Sequence, residues 1–247
     1  MRLGVRIPVL LSAAIGVAGC VVVRSLTVGG ADYAPGEFFP LHPGTLWVYE
    51  VRDAEGRIAL ERVLVRGVYH LKTQETDATI VEESGGMTGE LDLDVSWHPV
   101  VYYRRGPFLY KFSGVNFVGG ELHEQSLGEG EEKVLPADPA QHQRWESDFD
   151  IFRNEGTGYG ARVVSVVQPD LELVRVRAGT FRKCLRVDSE SVLATRSAQF
   201  DGEDVVFHYT DWYAPGVGLV KSEVHTSEPR PVTTFELVSF RDGKGPD

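Results

Sequence analysis

The chain has 247 residues, of which 42% are hydrophobic and 25% are charged, the balance of an ordinary globular protein. Its 36 acidic residues outnumber its 25 basic ones and give a formal net charge of −11, with no basic run longer than a pair such as Arg104-Arg105. A nucleic-acid-binding surface needs clustered Lys and Arg to displace counterions from phosphates, so nucleic acid is not expected as a partner.

The first 20 residues predict an export signal. Arg2 and Arg6 form a positive segment, and residues 7–17 form an apolar stretch of 11 residues. A membrane-spanning helix needs ~20 apolar residues, so this stretch fits a secretory signal peptide instead. The segment that follows, Val17-Ala18-Gly19-Cys20, resembles the bacterial lipobox, in which an aliphatic residue and two small residues precede a cysteine.

The lipobox resemblance implies that residues 1–19 are removed and that Cys20 carries lipid. Several acyl chains on one residue anchor a protein stably, whereas a single chain binds a membrane only marginally. Two alternatives stay open: an ordinary signal peptide with an incidental cysteine, and an uncleaved anchor extended through residues 21–23. Position 21 is Val rather than Asp, which favours the outer membrane in a bacterium that has two. We therefore expect a protein anchored to the cell envelope and facing the periplasm.

The mature chain is predicted to be all-β. Residues 20–37 contain Gly and Pro without sustained periodicity and are interpreted as the lipidated cysteine and a tether, whereas residues 38–241 form the β domain and 242–247 a tail. Short runs rich in Val, Leu, Phe, Tyr and Thr predict strands at 45–52, 58–66, 78–83, 89–97, 100–105, 108–112, 161–167, 171–177, 180–189, 204–213, 218–226 and 232–241. The expected fold is a large antiparallel curved sheet or half-barrel, or a two-sheet sandwich, with little helix.

Several turns between these strands have recognisable chemistry. Pro43-Gly44 and Pro215-Gly216 suit type II turns, because Pro sets the first central φ and Gly permits a positive second one. Asp201-Gly202 and Ala178-Gly179 each separate two strand-like runs and predict hairpins. Each of these four turns is expected to mark the end of a strand.

Two segments in the middle of the chain are less regular. Residues 139–152 are the best candidate for a helix, and residues 119–132 predict an acidic loop. The Pro-rich entry before Trp47 is weakly echoed by one at 136–139, ahead of Trp145. The β domain is therefore interpreted as two similar halves that meet near 119–135.

Three segments in this order resemble a family of uncharacterised bacterial secreted proteins and lipoproteins. They are Phe39-Pro40-Leu41-His42-Pro43-Gly44-Thr45-Leu46-Trp47-Val48-Tyr49, then Ala178-Gly179-Thr180-Phe181-Arg182-Lys183-Cys184-Leu185-Arg186-Val187, then Trp212-Tyr213-Ala214-Pro215-Gly216-Val217-Gly218-Leu219-Val220-Lys221. The resemblance covers residues 38 to 240 and implies an exported β domain without an agreed activity. Large aromatic side chains in these motifs are expected in the core, namely Trp47, Tyr49, Phe181, Trp212 and Tyr213.

The best metal candidate is an acidic strand face. Glu90, Asp92 and Asp94 alternate with apolar residues, so their carboxylates point to one side, and Ca²⁺ prefers several oxygen ligands. The run lacks the Gly-containing loop that wraps a cation. A solvated strand face is therefore the preferred interpretation, and no metal or other cofactor is expected.

Catalytic motifs are not found. The seven histidines make no HExxH pair, no GxSxG elbow is present, and the Gly-rich run at 156–161 precedes a strand rather than a helix that could bind phosphate. Cys184, which has no partner if Cys20 is lipidated, is expected to be a small buried thiol.

We therefore predict a non-enzymatic envelope lipoprotein that binds or assembles with an envelope protein. The first alternative is a periplasmic carrier or chaperone of a hydrophobic, lipid-like ligand. The second is a hydrolase whose site consists of a convergent polar cluster that no sequence motif reveals.

Overall fold

The computed structural model describes residues 26–28, 31–33, 38–84, 97–119, 121–124, 131–152, 158–195, 204–226 and 231–244. The described residues form β-strands and turns. Within them, no helix of the length and hydrophobicity needed to span a membrane is found.

The strands are numbered in chain order. They are β1 (Leu26–Val28), β2 (Ala31–Tyr33), β3 (Leu46–Asp53), β4 (Ile58–Leu71), β5 (Thr76–Ser84), β6 (Trp97–Arg105), β7 (Phe108–Phe112), β8 (Val115–Val118), β9 (Glu121–Glu124), β10 (Glu131–Pro136), β11 (Arg144–Phe152), β12 (Gly158–Val167), β13 (Glu172–Val176), β14 (Gly179–Thr195), β15 (Val205–Ala214), β16 (Gly218–His225) and β17 (Thr233–Arg241).

One antiparallel sheet of 13 strands dominates the molecule. Its order is β10-β7-β6-β5-β4-β3-β17-β16-β15-β14-β12-β11, and β13 pairs with the start of β14. Strands β1 and β2 form one separate pair, and β8 and β9 form another. The predicted all-β antiparallel class is confirmed, and the curved sheet rather than the two-sheet sandwich describes it.

Alternation along the strands builds the inner face of this sheet. In β3, the buried residues Trp47, Tyr49 and Val51 point inward because side chains two apart share a face. Val63 on β4 lies opposite Trp47 and belongs to the same core. The sheet therefore surrounds its own hydrophobic core instead of packing on a second layer.

The two ends of the sheet meet, because β10 and β11 are its edge strands and lie against each other. The Lys133 amide donates a hydrogen bond to Ser147 Oγ at 2.8 Å, and Trp145 Nε1 donates to the Lys133 carbonyl oxygen at 3.0 Å. Lys133 Nζ donates to the Glu146 carbonyl oxygen at 2.9 Å. Side chains thus complete the curl where no backbone ladder joins the two strands.

One end of the interior, here called the closed end, is filled by aromatic side chains. The Phe39 and Trp47 rings stack with centroids 4.6 Å apart, and Trp47 Nε1 donates to the Val217 carbonyl oxygen at 2.6 Å. His42 and Thr45 bind Asp242 and Gly243 from the other terminus of the domain. Residues distant in sequence are therefore tied together at this end.

A smaller core lies on the outer face of the sheet. It contains buried side chains from β4 to β8, and the β8–β9 hairpin lies against it; its members are Leu71, Ala78, Val101, Tyr103, Tyr110, Phe112 and Val115. Glu124 at the end of β9 accepts hydrogen bonds from the amides of Lys72 and Thr73. This hairpin was not among the predicted strands.

Both predicted type II turns are confirmed. Gly44 and Gly216 have φ values of 87° and 72°, and each turn is closed by a hydrogen bond, from the Thr45 amide to the His42 carbonyl and from the Val217 amide to the Ala214 carbonyl. The Ala178-Gly179 hairpin is also present, between β13 and β14. The predicted Asp201-Gly202 hairpin lies outside the described residues.

Two predictions for the middle of the chain are wrong. The helix expected at 139–152 is a turn followed by β11, in which Trp145 and Ser147 are buried in alternation with more exposed neighbours. The acidic loop expected at 119–132 contains β9, and β10 already begins at Glu131. In both segments, pairing with a neighbouring strand outweighed a local sequence preference.

Candidate functional site

Charged side chains lie on the inner face of the sheet, beyond the closed end. They come from five different strands and are called here the interior acidic layer: Glu61 on β4, Glu83 on β5, Lys111 on β7, Glu132 on β10 and Asp211 on β15. Glu61, Glu83 and Glu132 interact with the single ammonium group of Lys111, and Asp211 acts on Glu132. Buried charges are rare in proteins unless they are paired or functional, so this layer is the candidate site.

Glu61 is the most isolated member of the layer. It shares the inner face of β4 with the core residues Val63 and Val65 and lies opposite Tyr49 of β3. Burial and the negative charge of Glu83 raise the pKa of Glu61 to about 8, although Lys111 offsets part of the rise. Among the described residues, Glu61 has no side-chain hydrogen bond or ion pair.

Glu83 and Lys111 form the only ion pair between members of the layer in the part of the chain that the structure describes. Lys111 Nζ lies 2.8 Å from Glu83 Oε1, and the two side chains are 7% and 12% exposed. Tyr102 of β6 lies directly opposite Lys111, and its hydroxyl is 3.5 Å from the same Glu83 oxygen. The single cation of the layer is therefore already engaged by one of the four acids.

Glu132 lies on the other side of Lys111. The two residues face each other across the β7–β10 ladder. Burial raises the pKa of Glu132 to about 7, and the negative charges of Asp211 and Glu83 add to the rise while Lys111 opposes it. Like Glu61, its carboxyl group has no hydrogen bond or ion pair within the described ranges.

Asp211 comes from the opposite part of the curled sheet. It lies between Tyr209 and Tyr213 on the inner face of β15, directly opposite Ser222 of β16. Burial raises its pKa to about 7, although hydrogen bonds from Ser222 and from the Tyr213 hydroxyl, at 3.4 Å, lower it in part. Asp211 is thus a buried acid with partners, in contrast to Glu61.

Tyrosine side chains complete the layer. Tyr49, Tyr102 and Tyr213 are buried, and burial together with the neighbouring carboxylates raises their pKa values well above the usual range. The Tyr49 hydroxyl donates to the Leu219 carbonyl oxygen at 3.0 Å. Neutral phenol rings and ionisable carboxyl groups therefore line the same interior.

The members of the layer influence each other across the interior. Asp211 and Glu83, from opposite parts of the sheet, both act on Glu132, and Asp211 also acts on Tyr49. Because electrostatic effects of this size fall off with distance, the curl of the sheet brings these strands to face one another. The layer is one site rather than several separate side chains.

Two members of the acidic layer keep accessible surface on the inner side of the curl. Glu61 and Glu132 lie on the inner face of the sheet, where burial raises their pKa values. Both side chains nevertheless keep part of their surface accessible, unlike the fully buried aromatic groups at the closed end. Both residues are therefore accessible in part from the inner side of the curl.

This arrangement can bind hydrogen-bond donors and exchange protons. No group of three His, Cys, Asp or Glu residues in the described ranges lies close enough to hold a metal ion. The carboxyl groups are instead distributed around the interior on separate strands. An extended ligand that reaches several of them fits this distribution better than a single ion does.

The residues singled out from the sequence lie elsewhere. Cys20 and the acidic face of Glu90, Asp92 and Asp94 fall outside the described residues, so lipidation and the solvated-face interpretation stay predictions. Cys184 is a buried thiol, as expected, and burial raises its pKa to about 11. Its Sγ lies 3.6 Å from the Phe181 carbonyl oxygen.

The expected aromatic core is largely confirmed. Trp47, Tyr49 and Tyr213 are almost completely buried, Trp212 is 9% exposed, and Phe181 is partly buried against the same core. Trp212 lies on the outer face of β15, where Nε1 donates to Glu172 Oε2 at 2.7 Å. Its indole therefore has a structural partner.

The comparisons with known proteins are few. No family model matches the chain, and no curated protein matches its sequence. Two solved structures are similar in fold, each with 15% identity and with coverage of 83% of this chain and 99% of the other. They are a candidate lipoprotein from Parabacteroides distasonis, with a TM-score of 0.49, and a candidate exported protein with a YmcC-like fold from Bacteroides fragilis, with a TM-score of 0.46. At these values neither match supports a conclusion about the function of this chain.

Proposed function

We propose that this protein is an exported, lipid-anchored binding module that holds a small polar ligand inside its curled sheet. Its anchor is proposed from the sequence around Cys20, and its binding site from the interior acidic layer. The observation that carries the binding function is that Glu61 and Glu132 lie on the inner face of the sheet, keep part of their surface accessible and lack partners among the described residues.

Folding alone does not account for these acids. An uncompensated buried carboxylate costs several kcal/mol, whereas an apolar residue at the same position would stabilise the core. Apolar residues occupy the neighbouring positions on the same face of β4, namely Val63 and Val65. A cost of this size in an ordinary core position is typical of a functional site.

A lipid-like ligand is less well supported by the side chains. The closed end is apolar, but stacked Phe39 and Trp47 already fill it. The part of the interior with accessible surface is lined by carboxyl groups, which an acyl chain would leave without hydrogen-bond partners. A polar ligand satisfies these groups instead.

Hydrolysis is the second candidate function. Carboxyl groups that still carry a proton near neutral pH can act as general acids, and burial raises the pKa of Glu132 and of Asp211 to about 7. Binding without turnover is preferred because no sequence motif supplies a nucleophile. Product analysis after prolonged incubation with the bound ligand would separate the two functions.

The anchor is tested by the substitution Cys20→Ala. We expect the variant to lose incorporation of labelled palmitate and to leave the membrane fraction. A serine at the same position is the matched control, because it preserves size and polarity but cannot form the thioether. Unchanged membrane association of both variants would contradict the lipid anchor.

The binding function is tested by native mass spectrometry of the full-length protein, extracted in detergent from the cells that make it. We expect a small polar molecule to accompany the wild-type protein and to be lost from Glu61→Gln and Glu132→Gln. A ligand-free wild-type protein would contradict the proposed function. A bound fatty acid would support the carrier of hydrophobic ligands instead.

A further inference from the structure

We propose that the ligand of the interior acidic layer is a small organic cation that carries more than one ammonium or guanidinium group. This inference rests on the proposed interior binding site and adds the chemical class of the ligand. The residues that would hold it are Glu61, Glu132 and Asp211, with tyrosine rings around them.

The charge of the layer determines the sign of the ligand. The layer contains four carboxyl groups and one ammonium group, and that ammonium group is paired with Glu83 at 2.8 Å. Glu61, Glu132 and Asp211 are therefore left without a cation among the described residues. An anion entering this space would meet three uncompensated acids, whereas a cation would supply the missing positive charge.

The hydrogen-bond donors that Glu61 and Glu132 lack indicate the same class of ligand. An ionised carboxylate only accepts hydrogen bonds, and neither Glu61 nor Glu132 has a donor in the part of the chain that the structure describes. Ammonium and guanidinium groups only donate, and hydrogen bonds between two charged groups are stronger than those between neutral ones. A ligand with several such groups can serve both carboxylates at once.

The distribution of the acids excludes a compact ion as the best fit. Glu61 lies on β4, Glu132 on β10 and Asp211 on β15, so the carboxyl groups project from different parts of the curl. They do not form a metal-binding group within the described ranges. An organic cation with separated charges can reach acids that a single metal ion cannot bridge.

The tyrosines also suit a cation. Tyr209 on the inner face of β15 is only partly buried, and aromatic faces attract cations within about 6 Å of the ring centre. Lys111 Nζ already lies 6.0 Å from the Tyr102 ring centroid. A ligand ammonium group would find the same kind of surroundings.

Proton release gives this inference a distinctive signature. In the empty site, burial raises the pKa of Glu61 to about 8 and the pKa of Glu132 and of Asp211 to about 7, so these acids hold protons near neutral pH. A bound cation stabilises their ionised forms and expels those protons. Affinity for a cation should therefore increase between pH 6 and pH 8, by up to about tenfold per pH unit for each proton released.

The test uses three four-carbon probes of similar length on the full-length protein: 1,4-diaminobutane, 1,4-butanediol and succinate. Isothermal titration calorimetry at pH 6 and pH 8, in two buffers of different ionisation enthalpy, measures affinity and the number of protons released. We expect the diamine to bind at least about tenfold more tightly than the diol, with proton release and with tighter binding at pH 8.

Substitutions assign the binding to the layer. Glu61→Gln and Glu132→Gln should each weaken diamine binding and reduce the number of protons released. Glu190→Gln is the matched control, because Glu190 is an exposed acid on the outer face of β14. This substitution should change neither the affinity for the diamine nor the number of protons released. Circular dichroism and the thermal midpoint verify that each variant is folded.

The outcomes separate this inference from the proposed function. If the diol or succinate binds as tightly as the diamine, the inference that the ligand is a cation is overturned. The proposed binding function would still be supported by a polar ligand found in native mass spectrometry. Diamine binding that survives in both glutamine variants would also overturn the inference. If none of the three probes binds, the cation class fails, and the co-purified ligand alone decides the proposed function.

Discussion

The closed end and the acidic layer line the same interior, yet the first consists of packed apolar side chains and the second of ionisable ones. On β3, Trp47 belongs to the closed end and Tyr49 to the acidic layer, only two residues further on. Their partners on β4 change in the same step, from Val63 opposite Trp47 to Glu61 opposite Tyr49. One repeat of the β alternation, about 6–7 Å along the strand, thus separates a packed apolar core from buried acids.

This contrast separates the residues that stabilise the fold from the residues that are available to a ligand. At the closed end, every large side chain finds close contacts, and the Trp47 indole has its hydrogen-bond acceptor at 2.6 Å. In the acidic layer, Glu61 and Glu132 have accessible surface and no partner among the described residues. The first arrangement stabilises the protein, and the second reduces its stability in exchange for a binding site.

The largest stability effect is expected from Trp47→Ala at the closed end. The substitution removes the stack on Phe39 and leaves a cavity, so it should lower the free energy of unfolding by ~3–5 kcal/mol in a denaturant titration. Phe117→Ala is the control, because Phe117 on β8 is 41% exposed and its loss should matter far less. Equal effects of both substitutions would contradict the assignment of the closed end as the main structural core.

The acidic layer should respond in the opposite direction. The pKa of Glu61 in the fold is about 8, whereas an unfolded glutamate titrates near 4.3. Between these values the folded protein binds more protons than the unfolded one, so the ligand-free protein should lose stability as the pH rises from about 5 to about 8. Glu132 and Asp211, each with a pKa of about 7, act in the same sense.

Glu61→Gln should therefore stabilise the ligand-free protein at pH 8. The pKa shift of Glu61 corresponds to about 5 kcal/mol at ~1.4 kcal/mol per unit, and the cost of burying an amide without hydrogen-bond partners offsets part of it, so the expected gain is on the order of 2 kcal/mol. Thermal unfolding at pH 5 and pH 8 should also show a smaller pH dependence than in the wild type. A variant that is less stable than the wild type at pH 8 would show that the Glu61 charge has a partner.

Gly218→Ala tests how tightly the closed end is packed. Gly218 has a φ of 99°, and an added Cβ would lie 2.7 Å from Cδ2 of the Phe39 ring. We expect a loss of ~1–3 kcal/mol from overpacking, in addition to the cost of the positive φ. Gly216→Ala is the matched control, because Gly216 has a φ of 72° and open space around its Cβ position. Equal losses of stability in the two variants would mean that the Phe39 ring can move aside without destabilising the protein.

The closed end was largely predictable from sequence, because its signals are local. Trp47, Tyr49 and Tyr213 stand in alternating strands, and Pro-Gly pairs mark both confirmed type II turns. Apolar alternation and turn chemistry depend on neighbouring residues alone. Two strands were less predictable, β9 in the separate β8–β9 pair and β11 at the edge of the main sheet, because each depends on a partner strand that the local sequence does not identify.

The acidic layer was missed, although a signal for it existed. Glu61 interrupts the apolar register that runs through Ala59, Val63 and Val65, and Asp211 interrupts the aromatic register of Tyr209 and Tyr213. A charged residue on the apolar face of an alternating strand indicates a buried acid. The sequence does not show that β4, β10 and β15 face one another, because that depends on the curl of the whole sheet.

The smallest effect is expected from Cys184→Ala, which tests the comparison from a buried apolar position next to β13. Cys184 is fully buried, and burial raises the pKa of its thiol to about 11, so it stays neutral throughout the range in which the acidic layer titrates. The loss of one buried atom should cost about 1 kcal/mol, with no change in the pH dependence between pH 5 and pH 8. Wild-type Cys184 should also react slowly with a bulky thiol reagent in the folded protein and rapidly in denaturant. Fast labelling of the folded protein, or a pH dependence that disappears together with the thiol, would mean that the apolar core also contains a titrating group and is not chemically distinct from the acidic layer.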